Sequence, residues 1–242
     1  MNTQQRKFKH SLATVETAGS LWRPRCGLWA LLATASLLLP ACSGSLLPKP
    51  DPLPARFSLD GGSAAATTYR AVPGAADLTV DLPRAAAGYD STRMLYLRRP
   101  LELEAFAFHE WVAPPAQMLS PLLPRALQQG GSFRIVLAAA AAAPTRWRLQ
   151  TELLRLHQDF TQRPSRVRLS VRVLLLDGIS RQALAEREFD IVVPAARDDP
   201  VAGAVAAQAA TQQWLEAVTA FCREQVQLQA QIAPSRARHN MP

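Results

Sequence analysis

One cysteine in this sequence lies where its thiol could be modified with lipid. The segment Leu39-Pro40-Ala41-Cys42-Ser43-Gly44 closes an apolar run that begins at Gly27 and follows Arg23 and Arg25. A basic stretch, an apolar stretch and then small residues are the order found in signal peptides. The apolar run would reach about 20 Å as a helix, which is too short to cross a hydrocarbon core of about 30 Å. The segment therefore predicts cleavage before Cys42 and lipid attachment to its sulfur.

Leu39, Ala41 and Cys42 resemble the lipobox of bacterial lipoproteins, in which the cysteine becomes the first mature residue. The alternative is an ordinary secretory signal followed by a chance cysteine. By this resemblance, Cys42 would carry a diacylglyceryl group and an N-acyl chain, and stable anchoring needs more than one acyl chain. The next residue is Ser43 and not aspartate. By resemblance to sorted lipoproteins, this implies the periplasmic face of the outer membrane.

Catalytic and metal-binding patterns are absent from the sequence. His109 and His157 have no ligand spacing, and Asp159 near His157 has no nucleophile that the sequence would place beside it. There is no G-x-S-x-G elbow and no Gly-rich phosphate loop. The sequence therefore predicts that the protein is not an enzyme and binds neither a metal nor a cofactor. A hydrolase with an unrecognised site is a weaker alternative hypothesis.

Three aromatic residues are candidates for packing or for lining a groove. Phe108 and Trp111 belong to a cluster with His109 that precedes Pro114 and Pro115. This cluster could pack the entry of the following helix or line an apolar ligand groove. Trp214 belongs to an apolar stripe of the last helix, and such a stripe is usually core.

The remaining cysteine and the charge give little further chemistry. Cys26 belongs to the leader, so Cys222 has no partner for an intramolecular disulfide in the mature chain. Cys222 lies in an apolar helix and is predicted to be a small buried hydrophobe. The formal net charge is +8, but part of it belongs to the leader. Basic residues alternate with apolar ones along strands, so no nucleic-acid partner is predicted.

The chain is predicted to have four parts. Residues 1–41 are the lipoprotein signal peptide, and residues 42–56 are the lipidated cysteine and a proline-rich tether. Four alternating prolines, the last being Pro54, favour an extended chain there. Residues 57–225 form one globular domain, long enough to bury a core. Residues 226–242 are polar and predicted to be a disordered tail.

Strand and helix patterns alternate along the domain. Residues 147–157, 166–174 and 183–193 predict an antiparallel meander, with Asp177-Gly178 as a turn. A first helix over residues 118–127 contains Pro121 and Pro124, so it either begins late, with Ser120 as N-cap, or is kinked. A second helix begins at Asp199 and Pro200. The sequence predicts an α+β fold, with a mostly antiparallel sheet packed against two helices.

Several short strings, in this order, resemble the ABC-type transport auxiliary lipoproteins, a group that includes the PqiC-like proteins. Besides the lipobox, they are Phe57-Ser58-Leu59-Asp60, the segment 90–100 that ends in Arg98-Arg99-Pro100, the segment 108–115 that runs from Phe108 to Pro115, and the pattern from Phe189 to Trp214. The resemblance covers most of residues 57–221. The two prolines of the first helix and the alanine run 138–143 depart from the family pattern.

The resemblance implies a non-enzymatic accessory protein. Members of this family work with an inner-membrane ABC transporter and an MCE-domain periplasmic protein, and these systems move lipids or other hydrophobic molecules across the envelope. The expected partners are these two proteins and the membrane lipid held through Cys42. Homo-oligomerisation is left open. The alternative is a scaffold or activator lipoprotein for cell-wall or outer-membrane assembly.

Overall fold

The structure, a computed structural model, describes residues 52–60, 74–139 and 144–239. The signal peptide, the lipid site at Cys42, most of the tether and the alanines 140–143 lie outside these residues. Within them, nine strands form one sheet and two helices pack against it, so the predicted α+β fold is confirmed. The strands are β1 Ala55–Phe57, β2 Leu78–Val80, β3 Arg84–Ala85, β4 Arg93–Arg99, β5 Glu102–Trp111, β6 Val136–Ala138, β7 Trp147–Asp159, β8 Arg166–Asp177 and β9 Ala183–Pro194. The helices are α1 Pro115–Gln129 and α2 Pro200–His239.

The three long strands β7, β8 and β9 form the predicted antiparallel meander. Alternate residues of β8 from Val167 to Leu175 are at most 2% exposed, whereas Arg168 and Arg172 on the other face are exposed. This alternation follows the two-residue period of a strand with one buried face. The Asp177 carboxylate accepts hydrogen bonds from the N–H groups of Ile179 and Ser180, which closes the predicted turn.

The second edge of β7 holds the short strands in parallel. β2, β3 and β4 pair with successive parts of β7, and β6 adds to β2. β4 and β5 form an antiparallel hairpin, and β1 pairs in parallel with β5. β1 begins at Ala55, two residues before the predicted domain boundary. β6 is a strand of three residues.

α1 begins earlier than either predicted start. Pro115 lies in its first turn, where a missing N–H costs nothing, and Pro121 and Pro124 both lie inside the helix. The predicted late start with Ser120 as N-cap is therefore wrong. Four large side chains hold the helix against the core despite its prolines: Met118, Leu119, Leu123 and Leu127 are at most 8% exposed. Fully burying one such side chain stabilises by about 1.5–3 kcal/mol, which can offset the cost of an interior proline, about 3 kcal/mol.

α2 begins as the sequence predicts. The Asp199 carboxylate accepts a hydrogen bond of 2.7 Å from the Ala202 N–H, and Pro200 follows it. The predicted stripe is the buried side of the helix, since Ala207, Ala210, Trp214, Val218 and Phe221 are at most 1% exposed.

The far end of α2 differs from its prediction. The helix continues to His239, so the predicted disordered tail of residues 226–242 is corrected for residues 226–239. The glutamines and alanines there form no apolar period that would predict a helix, but they are compatible with extending a helix that is already nucleated.

Candidate functional site

The face of the sheet opposite the helices carries ion pairs over β7, β8 and β9. The Arg172 guanidinium lies 3.2 Å from Glu152, 3.4 Å from Glu186 and 3.8 Å from Glu188. Glu152 on β7 and Glu188 on β9 lie opposite Arg172 in the register, and Glu186 lies opposite Leu174, two residues further along β8. The guanidinium and the carboxylates neutralise one another across the strands, as is usual for a solvated sheet face.

One cluster on this face contains a serine and an aspartate, as the active site of a hydrolase can, but these residues are not hydrogen-bonded as they would be in such a site. Ser170 is fully buried and donates to Asp190 at 2.8 Å. Arg168 also bonds Asp190 through two nitrogens, and these bonds lower the pKa of the Asp190 carboxyl to about 2. Asp190 is therefore an ion-pair partner, and the Ser170 hydroxyl is not presented to solvent as a nucleophile would be.

His157 lies on the same face and contacts Tyr89. The Tyr89 hydroxyl is 3.4 Å from His157 Nδ1, and only 7% of the histidine is exposed. Burial is the main cause that lowers the pKa of His157. The histidine is thus held neutral beside a phenol, which is a structural arrangement rather than a general base next to a substrate cavity.

Metal-ligating clusters and free thiols are two further kinds of reactive group. No group of three or more His, Cys, Asp or Glu residues in the described part of the chain could hold a metal ion. Cys222 is fully buried, and burial raises the pKa of its thiol to about 12. A thiol with such a pKa is not a nucleophile at neutral pH.

The aromatic candidates separate in the structure. Trp111 is 4% exposed and Trp214 is fully buried, so both are core residues, whereas Phe108 is 46% exposed. The His109 ring lies between Phe57 and Phe106, with ring centroids 6.0 Å apart in each pair. The cavity beside Trp111 measures about 10 Å³, which is room for about one water molecule.

A cavity of about 540 Å³ lies between the two helices. We call it the inter-helix groove; α1 lines it with Leu122, Arg125, Ala126, Gln129 and Gly130, α2 lines it with Gln212, Leu215, Glu216, Thr219, Ala220 and Arg223, and Asp60 completes it. The helices meet closely at one end, where an added Cβ on Gly130 would lie 2.3 Å from Thr219 Cγ2. The groove carries two arginines and two acidic residues over an apolar floor. Such a surface suits a protein segment with polar side chains better than a fully apolar ligand.

Sequence reasoning did not find this groove. The spacing of three and four residues along each helix was present, but it shows only that the residues share a helix face. Which faces oppose each other depends on how α1 and α2 cross, and that is set by their packing on the sheet.

A comparison with known proteins identifies the family. The model of the ABC-type transport auxiliary lipoprotein component family matches residues 57–219. The chain belongs to this family. The match runs from the last residue of β1 to the middle of α2, so it includes all of α1 and the first half of α2.

Several solved structures have a fold similar to that of this auxiliary lipoprotein. Protein XCC0632 from Xanthomonas campestris is 22% identical, with a TM-score of 0.60, and the match covers 73% of this chain and 96% of that chain. An uncharacterised protein is 15% identical, with a TM-score of 0.53, over 72% of this chain and 99% of that chain. At these identities the likeness shows the shared fold. No curated protein matches in sequence.

Among the described residues of this auxiliary lipoprotein, no helix is both long enough and apolar enough to cross a bilayer.

Proposed function

We propose that this auxiliary lipoprotein is a non-catalytic accessory subunit of an ABC and MCE system that transports lipids or other hydrophobic molecules across the bacterial envelope. The observation that carries the proposal is the family match over residues 57–219. The lipid attached to Cys42 holds the protein at the periplasmic face of the outer membrane. Leu39, Ala41 and Ser43 around the cysteine support this location.

The chemistry of the described residues supports a role without catalysis. Ser170, Asp190 and His157 are engaged in hydrogen bonds or ion pairs, and the Cys222 thiol is inaccessible. A protein of this kind acts by holding a partner in place, so its function depends on a binding surface.

The inter-helix groove is the surface that we propose for the MCE-domain partner. It is an open cavity of about 540 Å³, and its walls present both charge signs, which can fix the register of a partner segment. Gln212 and Glu216 are exposed on α2 and lie one helical turn apart, so a bound segment would contact both.

Site-specific photocrosslinking in cells tests the partner. A photoreactive amino acid at Gln212 is expected to capture an MCE-domain protein, whereas the same amino acid at Gln162, an exposed position in the turn between β7 and β8, is the matched control. Capture of a peptidoglycan synthase in place of an MCE protein would favour the scaffold or activator alternative. Equal capture of the MCE protein from both positions would contradict the groove as the contact.

The lipid anchor has its own test. The intact mass of the protein purified from membranes is expected to fit a chain that begins at Cys42 and carries acyl groups. A Cys42→Ala variant should lose both the acyl mass and the membrane association. An unacylated chain cleaved at another residue would contradict the anchor while leaving the crosslinking result interpretable.

A further inference from the structure

The sheet face that carries ion pairs over β7 to β9 becomes apolar on the β4–β5 hairpin. In the register of the hairpin Leu97 lies opposite Leu103, and Leu95 lies opposite Ala105. Leu97 is also the neighbour of Asp159 on β7, which pairs with Arg166 on the ion-paired face. We call Leu95, Leu97, Leu101 and Leu103 the leucine patch. Leu101 and Leu103 are exposed, and Leu95 and Leu97 are half-buried. Neighbouring apolar side chains left open to solvent can mark an interaction surface.

The tip of the hairpin presents the most exposed member of this patch. Leu101 is fully exposed, and Leu103 is 41% exposed. Leu101 also has a φ of 69°, a left-handed conformation that a residue with a Cβ adopts only at a cost. Glycine would remove that cost. A leucine in this conformation, with nothing in the described fold to pack against, indicates that its side chain is used outside the fold.

The direction of β1 shows from which end of the sheet the described chain enters the domain. β5 starts at Glu102, beside the tip, and β1 runs parallel to it, with Ala55 opposite His109. β1 therefore enters its pairing with β5 from the side on which the hairpin tip lies, and the described chain begins three residues earlier, at Pro52. Pro52 follows Cys42 by ten positions. Ten residue steps can span at most about 35 Å when fully extended.

Two arginines flank the exposed leucine. Arg98 lies over the Tyr96 ring at 5.1 Å, and Arg99 pairs with Glu102 at 3.2 Å. Both arginines are exposed. Exposed ion pairs of this type are worth little, so the guanidinium of Arg99 can exchange Glu102 for another anion. An apolar tip with cations behind it matches the order of acyl chains and phosphates in a bilayer surface.

We infer that the β4–β5 tip is a second membrane contact of this lipoprotein, with Leu101 and Leu103 entering the acyl boundary and Arg98 and Arg99 contacting lipid phosphates. This inference rests on the lipid anchor of the proposed function. The anchor keeps the domain within reach of the bilayer, so a contact too weak to recruit the protein alone can still set its orientation. The inter-helix groove lies elsewhere and stays open to a protein partner.

Depth measurements with a nitroxide label test the inference on the lipidated full-length protein. A Leu101→Cys variant is labelled and reconstituted in vesicles of phosphatidylethanolamine and phosphatidylglycerol. Cys42 is acylated and Cys222 is fully buried, so the label attaches at position 101. The matched control is Ile179→Cys, because Ile179 is 80% exposed in the β8–β9 turn, beside the opposite end of β7. We expect the label at position 101 to meet oxygen more often and a water-soluble nickel chelate less often than the label at position 179.

Variants then separate the two parts of the contact. Arg98→Gln and Arg99→Gln are each expected to lower the ratio of inserted to free tip about fivefold in these vesicles. Leu103→Asp in the labelled protein is expected to return position 101 to water, whereas Leu82→Asp, at an exposed leucine outside the hairpin, leaves the depth unchanged.

Three outcomes would count against the inference, and the third would trace its failure to the anchor of the proposed function. Equal exposure of positions 101 and 179 to the nickel chelate on vesicles to which the protein is bound overturns it. Protection of position 101 only after the transport partner is added overturns it in favour of a protein contact. If the protein does not float with the vesicles and Cys42 carries no acyl group, the anchor of the proposed function has failed, and the tip contact fails with it.

Discussion

At the scale of single residues, the contact between Gly203 and Gln158 joins α2 to the sheet. Gln158 is 3% exposed, and its amide nitrogen donates to Ser165 Oγ at 2.9 Å and to the Asp199 carbonyl at 3.2 Å. A Cβ on Gly203 would lie 2.1 Å from Gln158 Oε1. The first turn of α2 can therefore approach β7 only because residue 203 has no side chain.

Gly203→Ala is expected to destabilise the protein by about 2 kcal/mol, because moving the buried amide breaks its hydrogen bonds. The measurement is the free energy of unfolding in urea. Val205→Ala, at a residue 62% exposed on the same helix, should change it by less than about 0.5 kcal/mol. A Gly203→Ala protein about 1 kcal/mol more stable, as helix propensity alone would give, would contradict this account.

At the scale of elements, the sequence of α1 includes a residue that lowers the stability of the helix. Pro121 is exposed and lies inside the helix, so it removes one backbone hydrogen bond without filling the core. Pro121→Ala is expected to stabilise the protein by about 1–2 kcal/mol, since the cost of an interior proline, about 3 kcal/mol, is reduced by the greater entropy of the unfolded alanine chain.

Thermal unfolding measures this change, and Pro115→Ala is its control. Pro115 is in the first turn, where proline suits the helix, so its replacement should give no gain. If Pro121→Ala lowers the melting temperature, the proline is needed for the path of α1 over the sheet, and that need outweighs the local cost of the lost hydrogen bond.

At the scale of the whole molecule, local patterns predicted the long elements but not how the short strands pair. The alternation along β8 and the cap at Asp199 each lie within one segment, so the sequence contains the whole signal. β2, β3 and β6 are at most three residues long, and their pairing with distant strands is decided by how the chain returns to β7. The inter-helix groove was missed for the same reason. Its two walls come from helices whose crossing no local period specifies.

The buried histidine gives the molecule a specific dependence on pH. His157 is surrounded by Tyr89, Asp159, Arg155, Arg168 and Asp190, and its burial lowers its pKa below the ordinary value of 6.5. The folded protein therefore keeps His157 neutral at a pH where the unfolded chain binds a proton. Stability should fall as pH decreases below 6.5 toward the folded pKa, by at most about 1.4 kcal/mol per pH unit.

Unfolding in urea between pH 7 and 5.5 measures this slope above the range in which carboxylates titrate. A His157→Gln variant, which keeps a polar group near the Tyr89 hydroxyl, is expected to lose the slope while staying folded at pH 7. The contribution of Asp190 is separate, because a carboxyl with a folded pKa of about 2 loses its stabilisation only as pH falls from about 4 to 2. Parallel pH profiles for the two proteins would show that His157 binds its proton as readily in the folded state as in the unfolded chain. The polar face of the sheet would then be more hydrated at β7 than the burial of His157 indicates.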